Sequence, residues 1–261
     1  MTIGASSEKE QRLEAVVKGI HRRWGSGALR RLGQPAAAQV PMPTGFAALD
    51  NALEGGIPRG RVTQLSGAPT SGATSIGLKM AAAAQQDLAA EVVYIDNERS
   101  FDPHFAGQCG IKLDQFTLAR PTNDQQALAM LAEFGAGGGV TLVVFDSPLR
   151  LSSDSRLEAA LASSLNRLAL PLAGAGCAVV LLTQFPSWAS SAAADYPRHA
   201  ALAHQVWLRL LIRRQRWLFQ RRDVRGYQTQ IAILKNKGGP AGKRVRVRVP
   251  IIFGNPADDK P

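Results

Sequence analysis

One stretch of the chain has the residue types and spacing of a phosphate-binding loop. Gly67, Gly72 and Thr74 lie in register with the pattern G-x-x-x-x-G-K-[ST], whose glycines permit a tight turn between a strand and a helix. Backbone N–H groups at the start of that helix would face phosphate oxygens, and the Thr74 hydroxyl would bind Mg²⁺. The predicted nucleotide-binding residues here are Gly67, Ala68, Pro69, Thr70, Ser71, Gly72, Ala73, Thr74 and Ser75.

The lysine of this pattern is absent, because position 73 is alanine. The next lysine, Lys79, lies six residues further on, which is about 9 Å along a helix axis, so it is a poor substitute. A glycine-rich turn without the lysine also occurs as a plain connection between a strand and a helix. The loop therefore needs support from its surroundings.

Polar side chains at the ends of other predicted strands supply that support. Asp146 ends one apolar strand, Gln184 ends another, and Glu98 follows a third by two residues. Open α/β sheets bind ligands at the carboxyl ends of their strands, where these groups would meet the loop. Asp146 is placed to reach Mg²⁺ through water, so the sequence predicts Thr74 and Asp146 as the metal-binding pair.

The elements that must position these groups alternate between strand and helix. Near-continuous apolar strands alternating with helices predict an α/β fold with a mostly parallel, twisted sheet covered by helices on both faces. After residue 204 the pattern changes to strands without helices, which predicts antiparallel strands at the C-terminal end: 206–214, 227–235 and 243–251. The earlier predicted strands are 61–65, 91–96, 140–146 and 177–184, and the helices are 72–90, 123–134 and 154–172.

Three segments are predicted along the chain. Residues 1–43 form an arm, with a helix over 8–24 and a linker that contains a short extended piece at 38–40. Residues 44–254 form the main domain and 255–261 a tail. No apolar run is long enough to span a bilayer, so we expect no membrane association. Two cysteines cannot form a disulfide framework, and we expect a cytoplasmic protein. Four scattered histidines show no metal-binding spacing.

The positive charge of the chain is concentrated near its C-terminal end. Thirteen of the 31 Lys and Arg residues lie within 207–250, which contains one acidic residue, Asp223. Such asymmetry favours a polyanionic partner, with nucleic acid first and an acidic membrane surface second, although a solvated basic face is the plain alternative. Arg244, Arg246 and Arg248 alternate with valines and would share one face of a strand.

Taken together, these motifs resemble the bacterial RecA recombinase family over nearly the whole chain. The resemblance rests on five segments: 43–61 before the loop, Ile95–Pro103 after the second strand, Leu142–Ser147, Leu182–Gln184 and Leu234–Lys237. It implies a P-loop ATPase core, a role in DNA repair, recombination and the SOS response to DNA damage, and ATP with Mg²⁺ as ligands. The N-terminal helix with its extended piece is similar to the family's polymerisation arm.

The resemblance also implies roles for single residues. Glu98 would position the attacking water, and Gln184 would couple the γ-phosphate to a DNA-binding loop. Asp102 and Phe105 would flank the adenine. Lys235 and Lys237 would reach the nucleotide of a neighbouring protomer in a filament. The segment 185–200 stands where the family has its second DNA loop, and there Trp188, Tyr196 and Arg198 offer stacking and charge to single-stranded DNA.

The departures from the family pattern leave three functions open. The lysine is replaced by Ala73, residues 147–156 look shortened where the family has its first DNA loop, and we expect no counterpart of its C-terminal domain after residue 254. One function is a self-associating protein that binds single-stranded DNA, with weakened ATP binding and slow or absent hydrolysis. The second is a non-catalytic accessory factor resembling ImuA, which would serve a translesion polymerase or a RecA filament. The third is an active DNA-dependent ATPase whose missing lysine is supplied in trans.

Overall fold

The computed structural model describes residues 3–25, 29, 39–146, 155–184 and 200–251. The chain divides into two compact units, Met1–Ala38 and Gln39–Pro261. In the first unit, helix α1 covers Ile3–Trp24, so it begins five residues before the predicted start at residue 8. Its apolar stripe includes Leu13 and Val16, which are largely exposed. Gln39 and Val40 are not in a strand, and Ala38 lies outside the described residues.

The second unit contains one sheet and the helices that flank it. Its strands are β1 (Val62–Gly67), β2 (Val92–Asp96), β3 (Phe116–Ala119), β4 (Leu142–Asp146), β5 (Ala178–Gln184), β6 (Leu208–Gln220), β7 (Asp223–Asn236) and β8 (Arg244–Pro250). Its described helices are α2 (Ala47–Ala52), α3 (Ala73–Ala84), α4 (Pro103–Gln108), α5 (Asp124–Ala136), α6 (Ser155–Ala175) and α7 (Ala200–Gln205), and a 3₁₀ turn covers Leu113–Gln115.

The eight described strands form a sheet in the order β3-β2-β4-β5-β1-β6-β7-β8. Strands β1 to β5 pair in parallel, and β6 also runs parallel to β1. Strands β6, β7 and β8 then pair in antiparallel fashion. The predicted α/β class is confirmed, with a mostly parallel sheet and antiparallel strands at its C-terminal end. None of the helices within the described residues is long and apolar enough to cross a membrane.

Alternate side chains of the central strands build a core on each face of the sheet. Leu65 and Val144 face the core that includes α3, whereas Val143 and Ile95 face the core that includes α5 and α6. Helix α3 approaches β5 closely at Gly77, where an added Cβ would lie 3.0 Å from the Leu182 side chain. This packing fixes the start of α3, and with it the phosphate loop, above the ends of the central strands.

Several element boundaries differ from the predicted ones. Helix α3 ends at Ala84 rather than residue 90, because the chain turns through residues 85–89 before β2. Strand β3 and the short helices α2 and α4 were not predicted, since segments of four to six residues carry little periodic signal. Strands β6 and β7 extend to a tight turn at Arg221 and Arg222, which makes one long hairpin. The predicted strands 206–214 and 227–235 cover the half of it nearest the core.

Candidate nucleotide-binding site

The strand register brings the predicted polar groups to one edge of the sheet. Gly67 at the end of β1 pairs with Gln184 at the end of β5. Asp146 at the end of β4 lies between Asp96 on β2 and Leu182 on β5. Because these four strands run in parallel, their carboxyl ends meet on the same side. The start of α3 lies at that same edge.

The loop between β1 and α3 has the conformation of a tight cradle. The Ser71 N–H donates to the Ala68 carbonyl at 3.0 Å, which closes a turn. Thr70 and Gly72 both have left-handed backbone, with φ of 64° and 96°. Such strain at a residue other than glycine is concentrated at functional sites. Helix α3 begins at Ala73, so the N–H groups of its first turn have no carbonyl acceptor within the helix.

Position 73 brings no charge to this cradle. Ala73 is buried, and its methyl group belongs to the apolar core beneath the loop. Lys79 is half-buried two turns further along α3, where its ammonium group acts on the Cys109 thiol after α4. The prediction that Lys79 is a poor substitute agrees with this position. The loop itself therefore offers backbone dipoles without a cation.

Asp146 has one oxygen engaged and one oxygen open. The Tyr94 hydroxyl donates to Asp146 Oδ2, and both side chains are buried. Asp146 Oδ1 is buried without a hydrogen-bond partner among the described residues. A buried carboxylate oxygen left open beside a phosphate cradle fits a Mg²⁺ ion or a water bound to it. Thr74, whose hydroxyl is the second predicted ligand, lines the adjoining pocket.

The described residues contain no group of three or more His, Cys, Asp or Glu side chains arranged to hold a metal ion. A magnesium site that uses one carboxylate, one hydroxyl and the phosphates of a nucleotide needs no such group. The donors present therefore fit a nucleotide-dependent Mg²⁺ ion rather than a resident metal centre.

Burial dominates the electrostatics of Asp146. It raises the pKa of this carboxyl from 3.8 to about 6, the Tyr94 hydrogen bond opposes the rise, and the nearby charges of Asp96 and Glu98 add to it. Tyr94 responds in the same direction, because burial and the neighbouring Asp146 charge raise the pKa of its hydroxyl. The site thus concentrates negative charge in a place poorly reached by water, and a cation bound there would relieve this cost.

Asp96 positions the turn that carries Glu98. Its fully buried carboxylate accepts the backbone N–H groups of Ser100 at 2.9 Å and Phe101 at 3.1 Å. Arg120 adds a contact of 3.4 Å from its Nε. These bonds fold the chain back immediately after β2 and hold half-buried Glu98 close enough to Asp146 to affect its ionisation. Sequence reasoning did not assign this role to Asp96, although the aspartate ends an apolar strand as Asp146 does.

A pocket of about 360 Å³ opens against the loop. Phe105 and Gln184, two of the predicted site residues, line it. Asp102 does not line it and instead caps α4, where its Oδ1 accepts the N–H groups of His104 and Phe105. The complete lining is Ala68, Thr70, Ser71, Gly72, Ala73, Thr74, Ser75, Phe105, Gln184, Arg214, Trp217, Tyr227 and Ile251.

Three side chains of the β6–β7 hairpin form one wall of this pocket, and sequence reasoning missed them. Arg214, Trp217 and Tyr227 line the pocket together with the loop residues. The Tyr227 hydroxyl lies 3.4 Å from the Gly72 carbonyl, and an added Cβ at Gly72 would overlap the Tyr227 ring. Burial raises the pKa of Tyr227 to about 12, against an opposing hydrogen bond with Ser75. A signal was present, because Arg214 ends one predicted strand and Tyr227 begins the next.

The two predicted trans-acting lysines both contact α7 within their own chain. Lys235 Nζ donates to the carbonyls of Ala203 at 2.7 Å and His204 at 3.2 Å. Lys237 Nζ donates to the same His204 carbonyl at 3.3 Å and lies 5.8 Å from the Trp207 ring centroid. Both ammonium groups thus satisfy carbonyls at the C-terminal end of a helix. Burial and the nearby Lys237 lower the pKa of Lys235.

The basic face predicted on the last strand is present on β8. Arg244, Arg246 and Arg248 are exposed, while Val247 and Val249, which alternate with them, are buried. Strand β8 is the last strand of the sheet order, and its three alternate arginines form a row on one face of this edge strand. The predicted DNA-binding residues Trp188, Tyr196 and Arg198 lie outside the described residues.

Comparison with known proteins finds similarity to RecA proteins. The family model described as the RecA N-terminal domain matches residues 11–173. Protein RecA of Caldanaerobacter subterraneus subsp. tengcongensis is 30% identical over 254 residues, which cover 91% of this chain and 74% of that protein. Protein RecA of Lactobacillus delbrueckii subsp. bulgaricus is 29% identical in an alignment that covers 94% of this chain and 79% of that protein.

One solved structure is also similar to this chain. The crystal structure of the RadB recombinase matches with a TM-score of 0.63 and 21% sequence identity, and the match covers 79% of this chain and 95% of that one. At this identity the likeness supports the fold.

Replacing Asp146 with asparagine tests the electrostatic strain of the site. The folded pKa of about 6 lies above the ordinary value of 3.8, so this carboxyl stabilises the fold at low pH and loses that contribution as the pH rises through 6. We expect Asp146→Asn to raise the free energy of unfolding at pH 7.5 without Mg²⁺ by up to about 3 kcal/mol. The pH dependence of stability between 4 and 7.5 should shrink accordingly. Urea denaturation at several pH values measures both effects.

The matched control is Asp114→Asn, which changes an exposed carboxylate and should alter stability little. A lower free energy of unfolding for Asp146→Asn at pH 7.5, with the pH dependence unchanged, would contradict the assignment of Asp146 as a strained, cation-seeking carboxylate.

Proposed function

Since the chain belongs to the RecA family, we propose that it is a DNA repair and recombination protein that binds single-stranded DNA and associates with itself. ATP binding with Mg²⁺ is weakened and hydrolysis is slow or absent, because Ala73 stands at the lysine position. One observation carries the proposal: the open oxygen of buried Asp146 lies at the same sheet edge as a strained phosphate cradle. That arrangement stabilises a bound nucleotide and destabilises the protein without one.

We assign a role to each group at the carboxyl edge of the sheet from its position. Backbone N–H groups of the first turn of α3 hold phosphate oxygens, and Phe105 packs beside the base. Thr74 and Asp146 hold the Mg²⁺ ion, which supplies positive charge to the phosphates when bound. Glu98 orients the attacking water. Gln184 ends β5 in the pocket, directly before residues 185–199, and links nucleotide binding to DNA binding.

The alanine at position 73 sets the expected rate. Removal of one charge-stabilising donor from a transition state costs about 10²–10³-fold in rate. A lysine also neutralises phosphate in the ground state, so its absence weakens binding as well. The retained Glu98 and Gln184 argue against complete loss of the chemistry.

The row of arginines on β8 supports the binding of a polyanion. Its three guanidinium groups project from one face of an edge strand with alternate spacing, about 7 Å from one to the next. This spacing is similar to that of successive phosphates in an extended strand. Affinity from such contacts is independent of sequence and falls steeply with salt.

A second function, the non-catalytic accessory factor, is favoured by one specific observation. The Tyr227 ring lies directly over Gly72, where it occupies space at the mouth of the phosphate loop. In this case the chain uses its fold and basic surface to bind a RecA filament or a translesion polymerase, and nucleotide has no role. A direct measurement of nucleotide binding separates the two functions.

Ala73→Lys tests whether the rest of the site is competent. We expect the unchanged protein to bind MgATP weakly and to hydrolyse it slowly. The lysine should raise turnover with single-stranded DNA by about 10²-fold or more. Steady-state phosphate release, with and without DNA, measures it, and Ala73→Met is the control for size without charge. Absence of nucleotide binding in both the unchanged protein and Ala73→Lys would favour the accessory function.

The β8 arginines are tested by the salt dependence of DNA binding. We expect Arg244→Gln, Arg246→Gln and Arg248→Gln combined to weaken binding to single-stranded DNA and to reduce the slope of log K against log salt by about 2. Arg246→Gln alone should reduce the slope by about 0.7, whereas Arg167→Gln, which removes an equal charge from exposed α6, should not. Fluorescence anisotropy at several salt concentrations measures the slopes. Equal slopes for Arg246→Gln and Arg167→Gln would exclude β8 from the DNA interface.

Lys235 and Lys237 are tested for self-association. We expect Lys235→Ala and Lys237→Ala to reduce assembly in the presence of MgATP and DNA while each monomer stays folded, because the lost contacts to α7 are partly exposed. Sedimentation velocity gives the assembly state and circular dichroism the fold. Lys243→Ala is the control, since it removes an exposed lysine from the same basic region. Unchanged sedimentation of the first two variants would remove the trans role.

A further inference from the structure

The pocket at the phosphate loop contains a cation that comes from another part of the chain. Among the described residues that line it, Arg214 is the one with a charged side chain. Arg214 lies on β6, more than 130 residues after the loop in sequence. Ala73, which stands at the lysine position of the loop pattern, and the positively charged Arg214 therefore line the same pocket.

The guanidinium of Arg214 is held by an aromatic stack rather than by an acid. Its Cζ lies 4.3 Å from the ring centroid of Trp217. Trp217 meets Tyr227 edge to face, with centroids 5.9 Å apart and planes at 82°. Tyr227 in turn contacts the Gly72 carbonyl at the start of α3. Trp217 and Tyr227 thus connect Arg214 to the phosphate loop.

Arg214 has no carboxylate partner among the described residues. A half-buried guanidinium that only stacks on an indole keeps its N–H donors available for an anion. The charge is close enough to Tyr227 to oppose the rise in the pKa of its hydroxyl. The positive group therefore acts on the loop side of the hairpin.

A local irregularity in the strand directs this side chain. The pairing of β6 with β7 shifts register between Arg214 and Arg216. Arg216 instead donates from its Nε to the Gln228 side chain at 2.8 Å, and it does not line the pocket. A register shift changes which side chains face a given surface. Arg214 and Arg216 are therefore only two residues apart but lie in different surroundings, so Arg216 is a matched control.

We propose that Arg214 is the phosphate-binding cation of this protein and performs in cis the binding role that Ala73 cannot. This inference rests on the proposed function, because it requires a nucleotide in the pocket. A guanidinium suits the task, since its fork of donors can hold two phosphate oxygens at once. Trp217 is a positioning residue that keeps the guanidinium over the loop, and Tyr227 spaces it from the helix start.

Isothermal titration calorimetry with MgATP tests the proposal on the full chain. Loss of a charge-assisted contact should weaken binding by about 10–100-fold in Arg214→Gln. Arg214→Lys keeps the charge without the fork and should fall between this variant and the unchanged protein. Arg216→Gln, which removes an equal charge from the same strand, should bind MgATP as the unchanged protein does. Thermal unfolding of each variant checks that the fold is intact.

A rescue experiment separates phosphate binding from a structural role. If Arg214 supplies the missing charge, Ala73→Lys should improve MgATP affinity far more in the Arg214→Gln background than in the unchanged protein. A purely structural role of Arg214 predicts equal improvement in both backgrounds. Trp217→Leu provides a second variant in case Arg214→Gln does not fold. It should weaken MgATP binding while retaining the arginine.

The outcomes distinguish this proposal from the one on which it depends. MgATP binding that is equal in the unchanged protein, Arg214→Gln and Trp217→Leu would overturn the role of Arg214 and leave the proposed nucleotide site standing. Additive effects of Ala73→Lys and Arg214→Gln would overturn it equally. Absence of MgATP binding in the unchanged protein and in Ala73→Lys would overturn both proposals.

Discussion

The site depends on two buried carboxylates placed side by side on adjacent strands. The parallel pairing of β2 and β4 sets Asp96 against Asp146, away from water. The charge of Asp96 is stabilised within the protein, because its carboxylate accepts hydrogen bonds from two backbone N–H groups and pairs with Arg120. The charge of Asp146 is only partly stabilised, since Tyr94 donates to one carboxylate oxygen and the other has no hydrogen-bond partner among the described residues. This imbalance is a cost of folding that a bound cation would offset, so a metal-bound nucleotide at this sheet edge, as proposed, would also stabilise the fold.

The long β6–β7 hairpin adds the opposite charge to the same unit. Its first strand joins the parallel sheet beside β1, so the hairpin is anchored directly next to the strand that leads into the phosphate loop. Its inner wall brings Arg214 to the pocket, and its second strand supports β8 with the exposed arginine row. The concentration of basic residues seen in the sequence therefore divides into groups with different surroundings. The net charge of this segment does not show that its basic residues lie in different surroundings.

Sequence patterns predicted the residues at the sheet edge but not those of the pocket wall. Asp146, Gln184 and the loop were predictable because parallel strands place their carboxyl ends together whatever their side chains do. Tyr94 was not, since a tyrosine within an apolar strand has the same pattern as a core residue. Arg214 was not either, because the register shift in β6 decides which surface each arginine faces. The contacts of Lys235 and Lys237 with α7 depend on tertiary packing that no local pattern encodes.

A cation on a strand differs physically from a cation on the loop. A lysine at position 73 would move with the helix start, so its charge would be fixed relative to the phosphates. Arg214 belongs to β6, and its place over the loop depends on Trp217, which is 41% exposed, and on the pairing of two strands. Displacement of the hairpin, for example by a polyanion bound to its basic side chains, would therefore change the charge over the nucleotide. With both ligands bound as proposed, this displacement would couple the affinity for nucleotide to the occupancy of the basic surface, and linkage would make the coupling act in both directions.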